Sequence, residues 1–201
     1  MKPAAFLDYP VIDHLLRIDD GRYLGKHQAA LLELRSRARA AEISLWMSEI
    51  VQVEMAHGQQ NPRLTPEKRT RAEANDARKI TIATDMGVRW LAYPCAKTND
   101  EYTLLDISFR CAGFEWNEAN TLEGELEQIK GISKGDARHL VSWIFGCDTA
   151  ALDFHPTLNC FVSEDEPLRE ALLQFQPRAA NQVLREAKIL SVAEFVALVR
   201  T

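Results

Sequence analysis

Hydrophobic residues recur along this chain in two rhythms: short apolar runs, and longer stretches spaced at i, i+3, i+4 and i+7. The first run, Ala4 to Asp8, predicts a strand that Pro10 ends, because proline supplies no ladder donor. A short helix is predicted over Val11 to Ile18, then an Asp-Gly turn at 20–21. A longer helix follows from Tyr23 to Glu42, with Leu24, Gln28, Leu31, Leu32 and Arg35 roughly in phase. Ile43 to Met47, with Trp46, suits a buried strand. Ser48 then caps a helix running to His57, which Gly58 closes.

Residues 59–79 change character, with Pro62 and Pro66 followed by a helix-prone charged run. Strands are predicted within Ile80 to Tyr93 and Tyr102 to Phe109, and a helix over Glu118 to Ile129. In 136–145 an apolar stripe of Ala137, Leu140, Val141 and Ile144 marks one helix face. Asn159 to Val162 reads as a strand, Glu166 to Phe175 and Ala179 to Ala187 as helices, and Lys188 to Leu190 as a last strand. Ser191 caps the closing helix, Val192 to Arg200. Strands alternating with helices predict an α/β fold, with a central, mostly parallel sheet flanked by helices.

At 201 residues the chain suits one domain, or one domain with an insertion. The net charge of −5 excludes a uniformly basic nucleic-acid binder, so any nucleic-acid site is a local patch. Two stretches qualify. In 21–41, Arg22, Lys26, Arg35, Arg37 and Arg39 face Glu33 alone; in 63–79, Arg63, Lys68, Arg69, Arg71, Arg78 and Lys79 face Glu67, Glu73 and Asp76. Either could hold phosphates or be a solvated helix face. Cys95, Cys111, Cys147 and Cys160 have no metal-site spacing and read as buried thiols. The absence of a long apolar run or a signal-peptide pattern makes a cytoplasmic protein, off the membrane, the expectation.

Four carboxylates occupy unusual positions. Asp8 and Asp165 lie at or just past the carboxyl ends of strands, where open α/β sheets bind ligands. Each could equally open a turn or cap a helix. Glu54 continues the stripe Met47, Ile50, Val51 and so falls on a buried helix face near a C-terminus, which disfavours a charge twice. A structural salt bridge would also account for it. Asp136 precedes Leu140 by four and shares its inward stripe, while Ser133 and Asp136 also fit a capping box. Clustered acids repel one another and persist chiefly around a cation that prefers oxygen ligands.

The order of these segments resembles that of PIN-domain ribonucleases, among them the toxins of bacterial toxin–antitoxin pairs. "AAFLDYPVI", "ISLWMSEIVQVEMAHG", "KGDARHLVSWIF" and "NCFVSEDEPL" are similar to the family's four signature segments, and "AKILSVAEFVAL" to its last strand and helix. The resemblance covers roughly residues 4–58 and 128–200 and implies a PIN-like three-layer fold. It makes Asp8, Glu54, Asp136 and Asp165 the ligands of Mg²⁺ or Mn²⁺, and Ser163 a hydroxyl bonded within the cluster. The reaction it implies is hydrolysis of single-stranded RNA, leaving a 5′-phosphate. Lys134 and Arg138 would then lie near the scissile phosphate. An antitoxin protein would be an expected partner, and a homodimer an expected assembly. Two departures stand out. Tyr9 and Pro10 replace the small hydroxyl residue and Asn that usually follow the first Asp, and 82 residues separate Glu54 from Asp136. The whole chain, 1–201, reads as one domain with an enlarged or inserted segment at about 59–116.

His139 reads as a flanking-face histidine, satisfied or exposed, and the tryptophans 46, 90, 116 and 143 as core. Two rivals remain: a PIN-like module that binds RNA or protein without cutting, and a metal-dependent phosphatase or DNA nuclease.

Overall fold

The computed structural model describes residues 2–52, 55, 63–94, 116–150, 156 and 158–200. Its centre is a sheet of five strands: β1 (Ala4–Leu7), β2 (Ser44–Ser48), β3 (Arg89–Leu91), β4 (Cys160–Val162) and β5 (Lys188–Leu190). Every pairing is parallel and the order is β3-β2-β1-β4-β5. The chain therefore builds outward from β1 in one direction and then, from β4, in the other. The boundary between β1 and β4 is the topological switch point of a doubly wound sheet.

Alternation along the strands feeds a core on each face. Phe6, Trp46, Phe161 and Ile189 point to one side; Ala5, Leu7, Leu45, Met47 and Val162 point to the other. The first face is covered by α4 (Trp116–Glu127), α5 (Lys134–Phe145), α6 (Glu166–Phe175) and α7 (Gln182–Glu186). The second is covered by α1 (Tyr9–Asp19), α2 (Gln28–Arg39), α3 (Pro66–Asp85) and α8 (Val192–Arg200). This is the expected three-layer α/β arrangement, and the sheet is parallel throughout. Phe6, Phe161 and Trp143 pack at its centre with ring centroids 5.2–6.4 Å apart.

Several boundaries differ from those expected. The helix expected over Tyr23 to Glu42 begins only at Gln28. Residues 22–27 form a loop that leaves Leu24 98% exposed, and the buried stripe is Leu31, Leu34 and Ala38. Within Ile80 to Tyr93, expected to hold a strand, the strand is Arg89–Leu91. Residues 80–85 instead complete α3, which Thr65 caps by accepting from Lys68 N. Thr70, Thr81 and Thr84 suit that helix because each hydroxyl donates to the carbonyl four residues back. Pro10 does not merely end β1. Its fixed φ serves the first turn of α1, which Asp8 caps. The helix expected over Ala179 to Ala187 shrinks to Gln182–Glu186, capped by Asn181. The expected strand Tyr102 to Phe109 lies outside the described residues, as do Cys95 and Cys111; Cys147 and Cys160 are buried free thiols.

A short antiparallel contact extends the edge at β3, where Leu91 bridges Asp148. Gly146 permits it. A Cβ there would stand 2.3 Å from Ser142 O and 2.6 Å from Ala92 O, so only glycine fits. Asp148 is fully buried, yet it accepts from Trp46 Nε1 at 3.0 Å and pairs with Arg89 Nε at 2.7 Å.

Candidate functional site

The ladder between β1 and β4 continues past β1, since Asp8 N donates to Val162 O at 2.9 Å. Ser163 N likewise donates to Leu190 O at 3.0 Å. Asp8 and Ser163 are thus fixed side by side at the carboxyl edge, at the switch point. Ser163 Oγ donates to Asp8 Oδ2 at 2.5 Å and accepts from Asp165 N at 3.0 Å. The other carboxylate oxygen, Oδ1, accepts from Tyr9 N at 2.8 Å.

Asp8 is 3% exposed and Ser163 fully buried. A carboxylate so placed is tolerable only with partners. His139 brings a third polar group: it is 5% exposed, and its Nδ1 lies 3.9 Å from Asp8 Oδ1, ion-pair distance when the imidazole is protonated. This corrects its placement on a flanking face. From Ala137 on, α5 is buried almost all round, so its flanking positions are interior as well. The run "HLVSWIF" carried that signal.

One turn before His139, Asp136 is half-buried and closes a capping box: Ser133 N donates to Asp136 Oδ2 at 2.8 Å, and Asp136 N to Ser133 Oγ at 3.2 Å. Asp165 is exposed and caps α6, with Leu168 N donating to Oδ1 at 3.0 Å. Each cap engages one carboxylate oxygen. Glu54 lies outside the described residues, although Ile50 and Val51 before it are buried as its stripe requires. Among the described residues no group of three or more His, Cys, Asp or Glu side chains is placed to hold a metal ion.

The end of β2 brings in Glu49, Ser142 and Glu123, which the sequence did not single out. Ser48 Oγ donates to Ser142 Oγ at 2.7 Å, and Ser142 Oγ donates to Arg138 O at 3.1 Å, locking β2 to α5. Ser48 Oγ also accepts from Ile50 N at 3.2 Å, while most of the stretch expected as a helix to His57 lies outside the described residues. Glu49 Oε1 accepts from Tyr93 N at 2.9 Å, and the Tyr93 hydroxyl bonds Glu123. Arg138 stands over the Tyr93 ring, 5.8 Å from its centroid, with Nε 3.5 Å from Glu123 Oε1. Lys134 is exposed, 3.9 Å from Glu127.

Tyr9 and Pro10 have a local explanation. Lys79 of α3 donates to the Tyr9 hydroxyl and also reaches Asp13 at 3.1 Å and Asp76 at 3.6 Å. Burial pushes the Tyr9 phenol up; for Lys79 burial works downward, but Tyr9 and Asp13 outweigh it and leave the ammonium raised. The residue after Asp8 is therefore held from the other side by α3. The basic stretch 21–41 is largely compensated: Arg22 pairs with Asp20, Arg35 with Asp19, Arg37 with Glu33 and Glu42, and Arg39 with Asp85; in 63–79, Arg78 pairs with Asp20 and Lys79 with Asp13 and Asp76.

The fold and site define a doubly wound α/β protein with an Asp–Ser–His group at its switch point. No family model matches the chain, and neither does any curated protein or any solved structure. No helix among the described residues is long and apolar enough to cross a membrane.

Proposed function

We propose that this chain is a metal-dependent endoribonuclease of the PIN type, hydrolysing phosphodiester bonds in single-stranded RNA. The observation that carries this reading is the buried Asp8 carboxylate, bonded to Ser163 at the carboxyl ends of adjacent, diverging strands. The order of the acidic motifs supports the same reading. The donors are carboxylate oxygens, which suit Mg²⁺ or Mn²⁺. Asp8 is the ligand candidate with the firmest support. Asp136 and Asp165 would contribute the oxygen that each leaves outside its cap. Glu54 is proposed as the fourth on the sequence pattern alone.

Such a cation, when bound, would neutralise charge developing on the phosphodiester and ease ionisation of an attacking water. The chain's own part is orientation. Ser163 holds Asp8 in one rotamer through Oδ2, leaving Oδ1 to Tyr9 N and the side facing His139. The imidazole beside Asp8 can balance carboxylate charge or hold a proton at Nδ1. Arg138 and Lys134 would meet RNA phosphates only by exchanging their partners Glu123 and Glu127.

The test is incubation of a fluorescent single-stranded RNA with Mg²⁺, Mn²⁺ or EDTA, using wild type and Asp136→Asn. Metal-dependent cleavage to 5′-phosphate ends, lost in the variant, is expected. Binding without cleavage under every metal condition would instead indicate an RNA- or protein-binding module. If the toxin reading holds, an antitoxin protein would bind the chain and suppress cleavage.

A further inference from the structure

We infer that a pocket lined by Tyr23, Lys26, His27, Glu164, Glu166 and Arg169 is a subsite for a single nucleotide of the RNA, resting on the nuclease reading above.

The pocket has a volume of about 200 Å³. That is below the roughly 300–1,000 Å³ of sites for drug-sized ligands, so it can enclose the base or the phosphate of one nucleotide and leaves the rest in solvent. It opens beside the Asp8–Ser163 centre: Glu164 is the residue after Ser163, and Arg169 Nη1 donates to Ser163 O at 2.6 Å.

The pocket is built rather than incidental. Glu164 has a side chain only 5% exposed; Oε2 lies 2.5 Å from His27 Nδ1, and Oε1 accepts from Val192 N at 2.9 Å. Glu164, itself held by α8, thereby fixes His27. Tyr23 folds back over Gly25 so closely that a Cβ there would stand 2.3 Å from the phenol oxygen. Its ring also meets His14, with centroids 5.1 Å apart. In the loop at 22–27 Leu24 is 98% exposed, and Tyr23, packed against the core beside α1, anchors the loop together with these contacts.

The wall offers what a nucleotide needs. Tyr23 presents an aromatic surface, and stacking on such a ring tolerates any base. Lys26 and Arg169 bring positive charge for a phosphate. Glu164 is already engaged by His27 and Val192, which leaves Glu166 as the wall's exposed carboxylate, an acceptor for an exocyclic amine and a repulsion to be kept from the phosphate. A base bearing an amino group, adenine, cytosine or guanine, therefore fits better than uracil.

The experiment titrates adenosine 5′-monophosphate, adenosine and inorganic phosphate into the full chain while following the imidazole signals of His27 and His139. The monophosphate is expected to move His27 but not His139, and to bind more tightly than either fragment. Lys26→Gln and Tyr23→Leu should each weaken binding about tenfold, whereas Tyr23→Phe should not. Unchanged His139 signals show that each variant has kept its fold. No movement of His27 at millimolar nucleotide, or equal affinity in all variants, overturns the subsite. Asp8→Asn separates the two readings: it should abolish RNA cleavage and leave monophosphate binding intact. Cleavage surviving in Asp8→Asn would defeat the nuclease reading, whatever the nucleotide titration gives.

Discussion

Ser163 has no freedom to point elsewhere: its hydroxyl is buried, bonded to Asp8 Oδ2 and accepting from Asp165 N. Ser163→Ala would leave a buried carboxylate short of a partner, at about 1.5–3 kcal/mol of stability. The same change should lower RNA cleavage about 10–100-fold, as loss of a ligand's hydrogen-bond partner typically does. Denaturant unfolding and cleavage rates read the two effects separately. Asp148 makes a purely structural contrast. It satisfies the buried Trp46 indole far from the switch point in sequence, and Asp148→Ala should lower stability by about 1–3 kcal/mol, measured by thermal unfolding. Asp148 attracted no notice in the sequence because it lies on no periodic stripe. Asp8, Asp136 and Asp165 did, through strand ends and a helix start, and Ser163 through the family resemblance alone. What could not be read there was how Asp136 and Asp165 divide their oxygens between caps and solvent, since that depends on side-chain rotamers.

Three helices end the same way. After α1, α2 and α3 the chain bonds back through Gly21–Arg22, Ala41–Glu42 and Gly87–Val88, each pair donating to the carbonyls of the final turn. The first residue of each pair is left-handed, with φ of 66° at Gly21, 55° at Ala41 and 64° at Gly87. Ala41 alone carries a Cβ in that conformation. Ala41→Gly should therefore raise stability by about 1 kcal/mol, read as a shift in urea midpoint at constant slope. The glycine endings explain why α1 stops where the sequence suggested. The end of α3 was not legible because "KITIATD" has the β-branched content of a strand, while its helical state is decided by the Thr65 cap and by packing of Ile82 and Ala83. The start of α2 was misread because Leu24 looked periodic, whereas the loop is shaped by Tyr23 over Gly25.

Across the molecule, the two helical layers meet the sheet on separate cores, and polar links join elements within each layer. Arg200 at the end of α8 bonds Glu33 of α2, and this, with Arg37, holds the Glu33 carboxyl down at about 2. A carboxylate with a depressed value stabilises the fold above its ordinary value of 4.5 and loses that contribution as pH falls toward about 2. Unfolding followed from neutral to acid pH should show a shallower loss of stability for Glu33→Gln than for wild type across that window. Added salt should shrink the difference, because the pair is exposed. His14 works in the same direction at higher pH. Burial lowers its pKa, so stability contributed by its neutral form is lost as pH falls through the ordinary 6.5. The layered fold and its parallel sheet were legible from alternating periods alone; the strand order was not, because short strands of similar composition carry no pairing code. That order is what sets Asp8 beside Ser163.

The central claim is that this Asp8–Ser163 centre supports metal-dependent cleavage of RNA. Its most direct test is the single-turnover cleavage rate of a fluorescent single-stranded RNA against Mn²⁺ concentration, for wild type and Asp8→Asn. A saturable metal dependence in wild type, abolished by EDTA and absent from a folded Asp8→Asn, is the predicted result. Equal rates for the two proteins, or cleavage that persists in EDTA, would contradict it.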